Sequence, residues 1–449
     1  MKKLFLSILP VVIGSTAVFA LFCFLNGSVF AHEQAAPLQT VRVAATWGGP
    51  EQANFQAVLD EFTNQTGLST TYEQITTTLA DRLLNCAALD NCPDVAMVSP
   101  ALINELAHQG SLLLLDPVVT GFNTNYSTTW RTLSSVDGSL FAVPFKVMSK
   151  SMIWYRPPAL GAISATLPQT WAELLSLSDA LVTGGQTPFA IGAISGGDTS
   201  GWPLSDWFEN ILLRVAGPEV HRKLVRHDIS WTDPIVVEAM QRFQDIVGQE
   251  AYQAGGITGT LTTNFLDAID LVFGSPPTAT MYFEGGWVQT FIEDRHPGLT
   301  PGTDYNFFDF PLIDTNYGKP VMGAADFAVL FHDTPEAKSL IEFLATPQAA
   351  EIWAALGGGY LSPNRGLDPA TYPDDLARAQ YQQIITADEF VYDLDDQLPS
   401  ELQRYFWNAL MDFVAHQDQM MSILQGIEDK ATDLQGPPYQ LYLPVTVNP

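Results

Sequence analysis

Basic residues are scarce in this chain: 20 lysines and arginines stand against 49 aspartates and glutamates, for a formal net charge of −29. Holding the phosphates of a nucleic acid requires clustered Lys and Arg, and no such cluster occurs, so nucleic acid is excluded as a partner. The acidity itself reads as a device for solubility. Histidine is sparse too. The seven present are scattered, and His221 and His227 share no carboxylate or cysteine pattern, which argues against a metal centre. Catalytic signatures are missing: there is no G-x-S-x-G elbow for a serine nucleophile and no G-x-x-x-x-G-K-[ST] loop for a nucleoside triphosphate. Nothing in the sequence requires a cofactor, and it holds no internal repeat or low-complexity block.

The long apolar run stands at the front. Lys2 and Lys3 precede an uncharged stretch from Leu4 to Ala31 that ends V-F-A-H-E. Val29 and Ala31 occupy the small-residue positions read by a signal peptidase, so residues 1–31 are expected to be an export signal cleaved after Ala31. The run approaches the roughly 18 to 20 residues that span a bilayer, which leaves a retained membrane anchor as the alternative. Phe22 stands before Cys23 where lipid attachment wants a small residue. Of the three cysteines, Cys86 and Cys92 remain after cleavage. In an exported protein this pair reads as a disulfide closing a small loop; the alternative, a metal site, has no nearby His.

The 47% hydrophobic content supports cores for two or three domains. V-R-V-A-A-T-W alternates as a strand, and the next helix carries Phe55, Val58, Leu59 and Phe62 at helical period and stops at Gly67. A strand over 68–75, a helix near 79–84, a strand over 94–98 and a helix opened by Ser99-Pro100 follow. This alternation predicts an α/β fold with a mainly parallel sheet. A second lobe begins after the strand Leu140 to Phe145, with Thr170 and Glu173 as a capping box for a helix reaching Val182. Strands at 306–312 and 321–330, a helix over 335–344 capped by Thr334, and a mostly helical last third complete the reading.

The segment Ala279 to Val288, A-T-M-Y-F-E-G-G-W-V, is a short apolar strand ending at an acid, a glycine turn and a tryptophan. Ligands of open α/β sheets bind at the carboxyl ends of strands. Here Glu284 offers an acceptor, Gly286 a close backbone approach and Trp287 a flat apolar face, with no nucleophile. The chain order of motifs then resembles a family: the extracellular sugar-binding proteins of ABC importers, of the α-glucoside-binding type within the maltose-binding group. The resemblance covers almost the whole chain after the export signal. It rests on W-G-G-P-E, F-T-N-Q-T-G-L, C-P-D-V-A, K-V-M-S-K-S-M-I-W-Y-R-P, S-G-W-P-L-S-D-W, P-G-T-D-Y-N-F-F-D-F-P, G-A-A-D-F, G-G-G-Y-L-S-P-N and F-W-N-A-L-M-D-F-V. The two cysteines depart from the family pattern.

The resemblance implies a two-lobed periplasmic-binding-protein fold of type II. Its lobes are expected at 38–145 with 321–362 and at 146–320 with 363–449, crossing near Phe145, Val321 and Ser362, with sugar enclosed between them by hinge closure. It implies a monomer outside the cytoplasm, in a periplasm or on the outer face of the cytoplasmic membrane, serving a permease with a separate ATPase. A pyranose shows apolar C–H faces and a hydroxyl rim, so aromatics and acids are the candidate contacts: Trp287, Trp202, Trp207 with Asp206, Trp47 with Glu51, and Asp326. Trp407 is similar in position to a stacking residue of the group; Tyr360, Arg365, Lys146 and Lys150 follow from their places at the lobe crossings. Asp206 and Asp326 also suit helix caps, and Trp171 and Trp353 suit helix packing. The run Asp393-Leu394-Asp395-Asp396 lacks the glycine and terminal glutamate of a calcium loop and reads as solvated surface. Three rival readings remain: a polyamine or other cation held by acids and indoles, a glycoside hydrolase using two of the cleft carboxylates, and a surface adhesin.

Overall fold

The computed structural model describes residues 40–75, 79–162 and 166–438. The segment read as export signal or anchor, and nearly all of the Pro-rich tail beyond Gly436, lie outside them. No helix among the described residues is long and apolar enough to cross a membrane.

Among these residues the strands form a six-stranded sheet, a four-stranded sheet and a small hairpin. In the first sheet Val41–Ala45 pairs in parallel with Thr70–Gln74 and Val95–Val98, as the βαβ alternation predicts. Val321–Leu330 then runs antiparallel to both Val95–Val98 and Ala142–Ser149. The second sheet, ordered Asn306–Asp309, Met152–Tyr155, Met281–Phe283, Phe189–Ala190, has a single parallel pairing. Both sheets are mixed: the first is mainly parallel as expected, with three parallel pairings of five, and the expectation is corrected for the second, where two pairings of three are antiparallel. Strands that enter a lobe from the other one arrive without a crossover helix, and that frees their direction.

Each sheet has its own core. Phe55, Val58, Leu59 and Phe62 of the helix Gly49–Thr66 lie buried in the first, and Gly67 ends that helix in the left-handed conformation at φ 73°. Thr170 and Glu173 form the expected capping box of the helix Trp171–Thr183. Ser99 precedes the helix Pro100–His108 but makes no side-chain cap bond. Cys86 and Cys92 are joined as a disulfide. Phe390–Tyr392 pairs with Val321 to Gly323 in the first sheet, while Tyr381 and Ile384 pack in its core. The last passage between the sheets therefore follows Tyr392, where the sequence suggested Ser362; the loop at Ser362 stays with the first core because Tyr372 Oη accepts its N–H at 3.0 Å.

The helix Trp202–Val225 grips the crossing segments. Asn210 Nδ2 donates to the Lys150 carbonyl at 3.0 Å, and Arg214 donates to the carbonyls of Pro320 at 3.1 Å and Phe310 at 3.3 Å. Buried guanidinium bonds of this kind fix where the chain passes from one sheet to the other.

Candidate functional site

Two polar clusters flank the crossing strand Ala142–Ser149. On the first sheet Lys146 stands directly opposite Asp326, where the register slips by a bulge after Asp326. Its ammonium pairs with Glu51 from the first turn of the helix Gly49–Thr66, 5.4 Å from the Trp47 ring centroid and 5.6 Å from that of Trp353. Burial raises the Asp326 pKa; Lys146 pulls against it, Glu51 pushes with it, and the Trp47 indole favours the charged form, leaving it above the usual carboxylate range. Tyr72 Oη donates to the Trp47 carbonyl at 2.6 Å and is pushed up to about 12 by burial and by Glu51 and Asp326.

The second cluster surrounds Lys150. Its ammonium lies 3.0 Å from Asp206 Oδ1, 2.5 Å from Asp393 Oδ2 and 5.5 Å from the Trp202 ring centroid. Asp206 sits one turn into the helix Trp202–Val225 and faces inward, fully buried. Glu284 ends the strand Met281–Phe283 and is also buried. The buried oxygens Glu284 Oε2 and Asp206 Oδ2 have no hydrogen-bond donor among the described residues. Burial first, then the Asp206 charge, pushes Glu284 well above the carboxylate range, against the pull of Lys150.

The loop after Phe390–Tyr392 closes this cluster. Asp395 Oδ2 accepts from Trp407 Nε1 at 2.6 Å and Ser205 Oγ at 2.5 Å, and Glu209 accepts from the Leu394 and Asp395 N–H groups at 2.7 and 3.1 Å. Gly201, at φ 101°, has no room for a side chain: a Cβ there would lie 2.5 Å from the Trp407 carbonyl oxygen, so glycine lets the helices bearing Trp202 and Trp407 meet. Trp202, Phe265 and Trp287 pack edge to face at 5.2 to 5.9 Å. An open depression of about 350 Å³ is lined by Lys150, Ser195, Thr199, Trp202, Phe265, Asp395, Asp396 and Trp407. It offers indole faces beside carboxylates, and no nucleophile is paired with a base in it. Oxygens of Asp393, Asp395 and Asp396 lie within 4.8 Å of one another, a spacing a metal ion can use, but Lys150 already places its ammonium on Asp393.

The structure brings together Glu51, Lys146, Asp326 and Trp47 on one side, and Lys150, Asp206, Glu284, Trp202, Trp287 and Trp407 on the other. Four expected contacts go elsewhere. Trp207 is core, packed on Phe189, Phe283 and Phe310, because it follows Asp206 on the inner face of the helix. Tyr360 is buried, stacked on Trp353 at 4.8 Å with Oη donated to the Phe145 carbonyl. Arg365 is exposed and its backbone, not its guanidinium, makes the bond, to Asn125. Gly286 gives its N–H to the Ser149 carbonyl, and a Cβ there would lie 2.3 Å from Gln380 Oε1, so its smallness serves packing within the protein.

The run at 393–396, read from sequence as solvated surface, is the main correction. Asp393 and Asp395 are buried, not solvated, since Lys150, Trp407 and Ser205 supply partners from distant segments. One signal pointed there: the acids directly follow the short apolar strand Phe390–Tyr392, at its carboxyl end. Tyr72 and Phe265 carried no signal beyond their strand and helix periods.

Residues 47–351 match the family described as bacterial extracellular solute-binding protein. The chain is similar to the osmoprotective compounds-binding protein GgtB of Synechocystis sp., 33% identical over 374 residues that cover 82% of this chain and 87% of that one. It is similar to the alpha-glucosides-binding periplasmic protein AglE of Rhizobium meliloti, 31% identical over 388 residues covering 84% and 83%. In fold it is similar to the bacterial solute receptor AcbH, described as having an exclusive preference for β-D-galactopyranose, with a TM-score of 0.77 at 19% identity over 88% of this chain and 99% of that one. These three are binding proteins or receptors, not enzymes.

Proposed function

The chain belongs to the bacterial extracellular solute-binding proteins, and on that premise we propose that it captures an α-glucoside or related oligosaccharide for an ABC importer, delivering it outside the cytoplasmic membrane to a permease driven by a separate ATPase. One observation carries the choice of ligand. Two lysines four residues apart on the crossing segment, Lys146 and Lys150, each end in a cluster of acids and indoles, one built on each sheet. Carboxylates accept hydrogen bonds from sugar hydroxyls, and indole faces cover the C–H sides of a pyranose. The name of AglE supports an α-glucoside, and that of GgtB an osmoprotective compound. In this reading the lobes are 40–149 with 321–392 and 150–320 with 393–438, in a monomer.

Thermal-shift screening against mono-, di- and trisaccharides tests it. A ligand at 100 times its Kd adds about 2.7 kcal/mol to folding stability. The expected result is a shift with an α-linked glucoside that persists at high salt, since a neutral ligand is not screened. No shift with any carbohydrate overturns the assignment. The rival reading, a cationic ligand, requires a vacant ammonium seat, and Lys150 fills the one beside Trp202.

A further inference from the structure

The surroundings of the Lys150 ammonium are those of an amine-binding site. Two buried carboxylates, Asp206 and Asp393, hold it at 3.0 and 2.5 Å, and the Trp202 face lies 5.5 Å away. Glu284, Asp395 and Asp396 stand around the same point. Burial draws the Lys150 pKa down, but Asp206 and Asp393, with Asp396 and Asp395, more than reverse this, so the group stays charged. Its side chain is 12% exposed and lines the open depression, whereas Asp206 and Asp393 are fully buried and do not line it.

The backbone at this position does not require a lysine. The Lys150 backbone is already fixed, its N–H by the Met322 carbonyl at 2.8 Å and its carbonyl by Asn210. The side chain therefore serves the charge balance of the pocket. We propose that Lys150 is a tethered occupant of an ammonium seat and is the specificity-determining residue that makes this receptor reject amines and accept uncharged polyols. The inference rests on the reading that the ligand is a neutral carbohydrate. A free amine entering beside the carboxylates meets a like charge already bonded to them, whereas a hydroxyl-bearing ligand uses the remaining oxygens without displacing it. Truncating the side chain leaves the buried acids without their cation and opens space for one.

The test is complementation. In Lys150→Ala the missing atoms correspond to n-propylamine, so that amine and 1,4-diaminobutane are titrated by calorimetry into wild type and variant at low and high salt. Wild type is expected to show no saturable amine binding. The variant is expected to gain saturable binding that weakens at least tenfold at high salt and to rise in Tm with n-propylamine. Lys150→Met, which fills the stem as far as Cε and lacks only the nitrogen, is expected to gain binding of ammonium instead. A folded variant of either kind that binds no amine, or a wild type that binds amines as well as the variant, overturns the proposal. If both variants fold only when amine is supplied, the proposal is supported; if amine fails to restore folding, it is overturned. Sugar titrations of wild type are read separately, so absence of sugar binding rejects the proposed function while leaving a gain of amine binding to be judged by itself.

Discussion

At the scale of single residues, burial decides charge state more than sequence neighbours do. Asp206 is pushed from its ordinary value near 3.8 up to about 7, first by burial and then by Asp395 and Asp396, against the opposing pull of Lys150. Between those values the folded protein keeps a proton that the unfolded chain has released, so this group makes stability fall as pH rises from about 4 to about 7. Asp206→Asn is expected to lose that contribution: thermal midpoints measured across this range will fall less steeply than in wild type, with Glu284 supplying slope that remains. His221 acts in the opposite sense. It is fully buried, neither ring nitrogen has a partner among the described residues, and burial, then Arg222, holds its pKa down to about 3 from 6.5. Its stability contribution is complete above the unfolded value and lost as pH falls through that window. At about pH 5 the loss is about 2 kcal/mol. His221→Leu is expected to recover this, so denaturant titrations will show its stability relative to wild type higher by about 2 kcal/mol near pH 5 than near pH 8.

Among the elements, those fixed by short-range rules were legible. The helix Pro335–Leu344 was readable from Thr334, whose side chain accepts from the Ala337 N–H, and the helix Trp171–Thr183 from its capping box. The disulfide is a local feature too, closing a loop of six residues' separation between the helix Leu79–Cys86 and the strand Val95–Val98. Chain-entropy arithmetic for such a loop gives about 2 kcal/mol. Cys86→Ala with Cys92→Ala is expected to lose about that much in a denaturant titration, and adding a reductant to wild type to do the same. Strand direction was less legible, because Val321–Leu330 takes its orientation from the segment that enters it from the other sheet.

For the whole molecule, the proposed function has the two clusters close over a ligand. Asn210 and Arg214 of one helix hold the crossing backbone at Lys150 and Pro320, and in the proposed closure the lobes turn about these bonded passages. Saturating ligand is expected to reduce the radius of gyration measured by small-angle scattering, and Arg214→Met to destabilise the protein by about 3 kcal/mol or more, since the carbonyls of Phe310 and Pro320 lose buried donors together. A scattering curve unchanged by ligand contradicts closure.

Sequence alone determined the alternating α/β plan, the Thr170 and Thr334 caps and the family resemblance, and favoured the disulfide, because each depends on residues near one another or on motifs kept in order. It also placed indoles and acids at strand ends. Tertiary structure decided which of them share a site. Trp207 and Trp202 stand five residues apart on one helix, yet one is core and the other lines the depression. Asp393 and Asp395 read as surface until Lys150, Ser205 and Trp407 arrived from far along the chain. The burial of a charge depends on partners brought by the fold, and those partners have no fixed spacing in sequence.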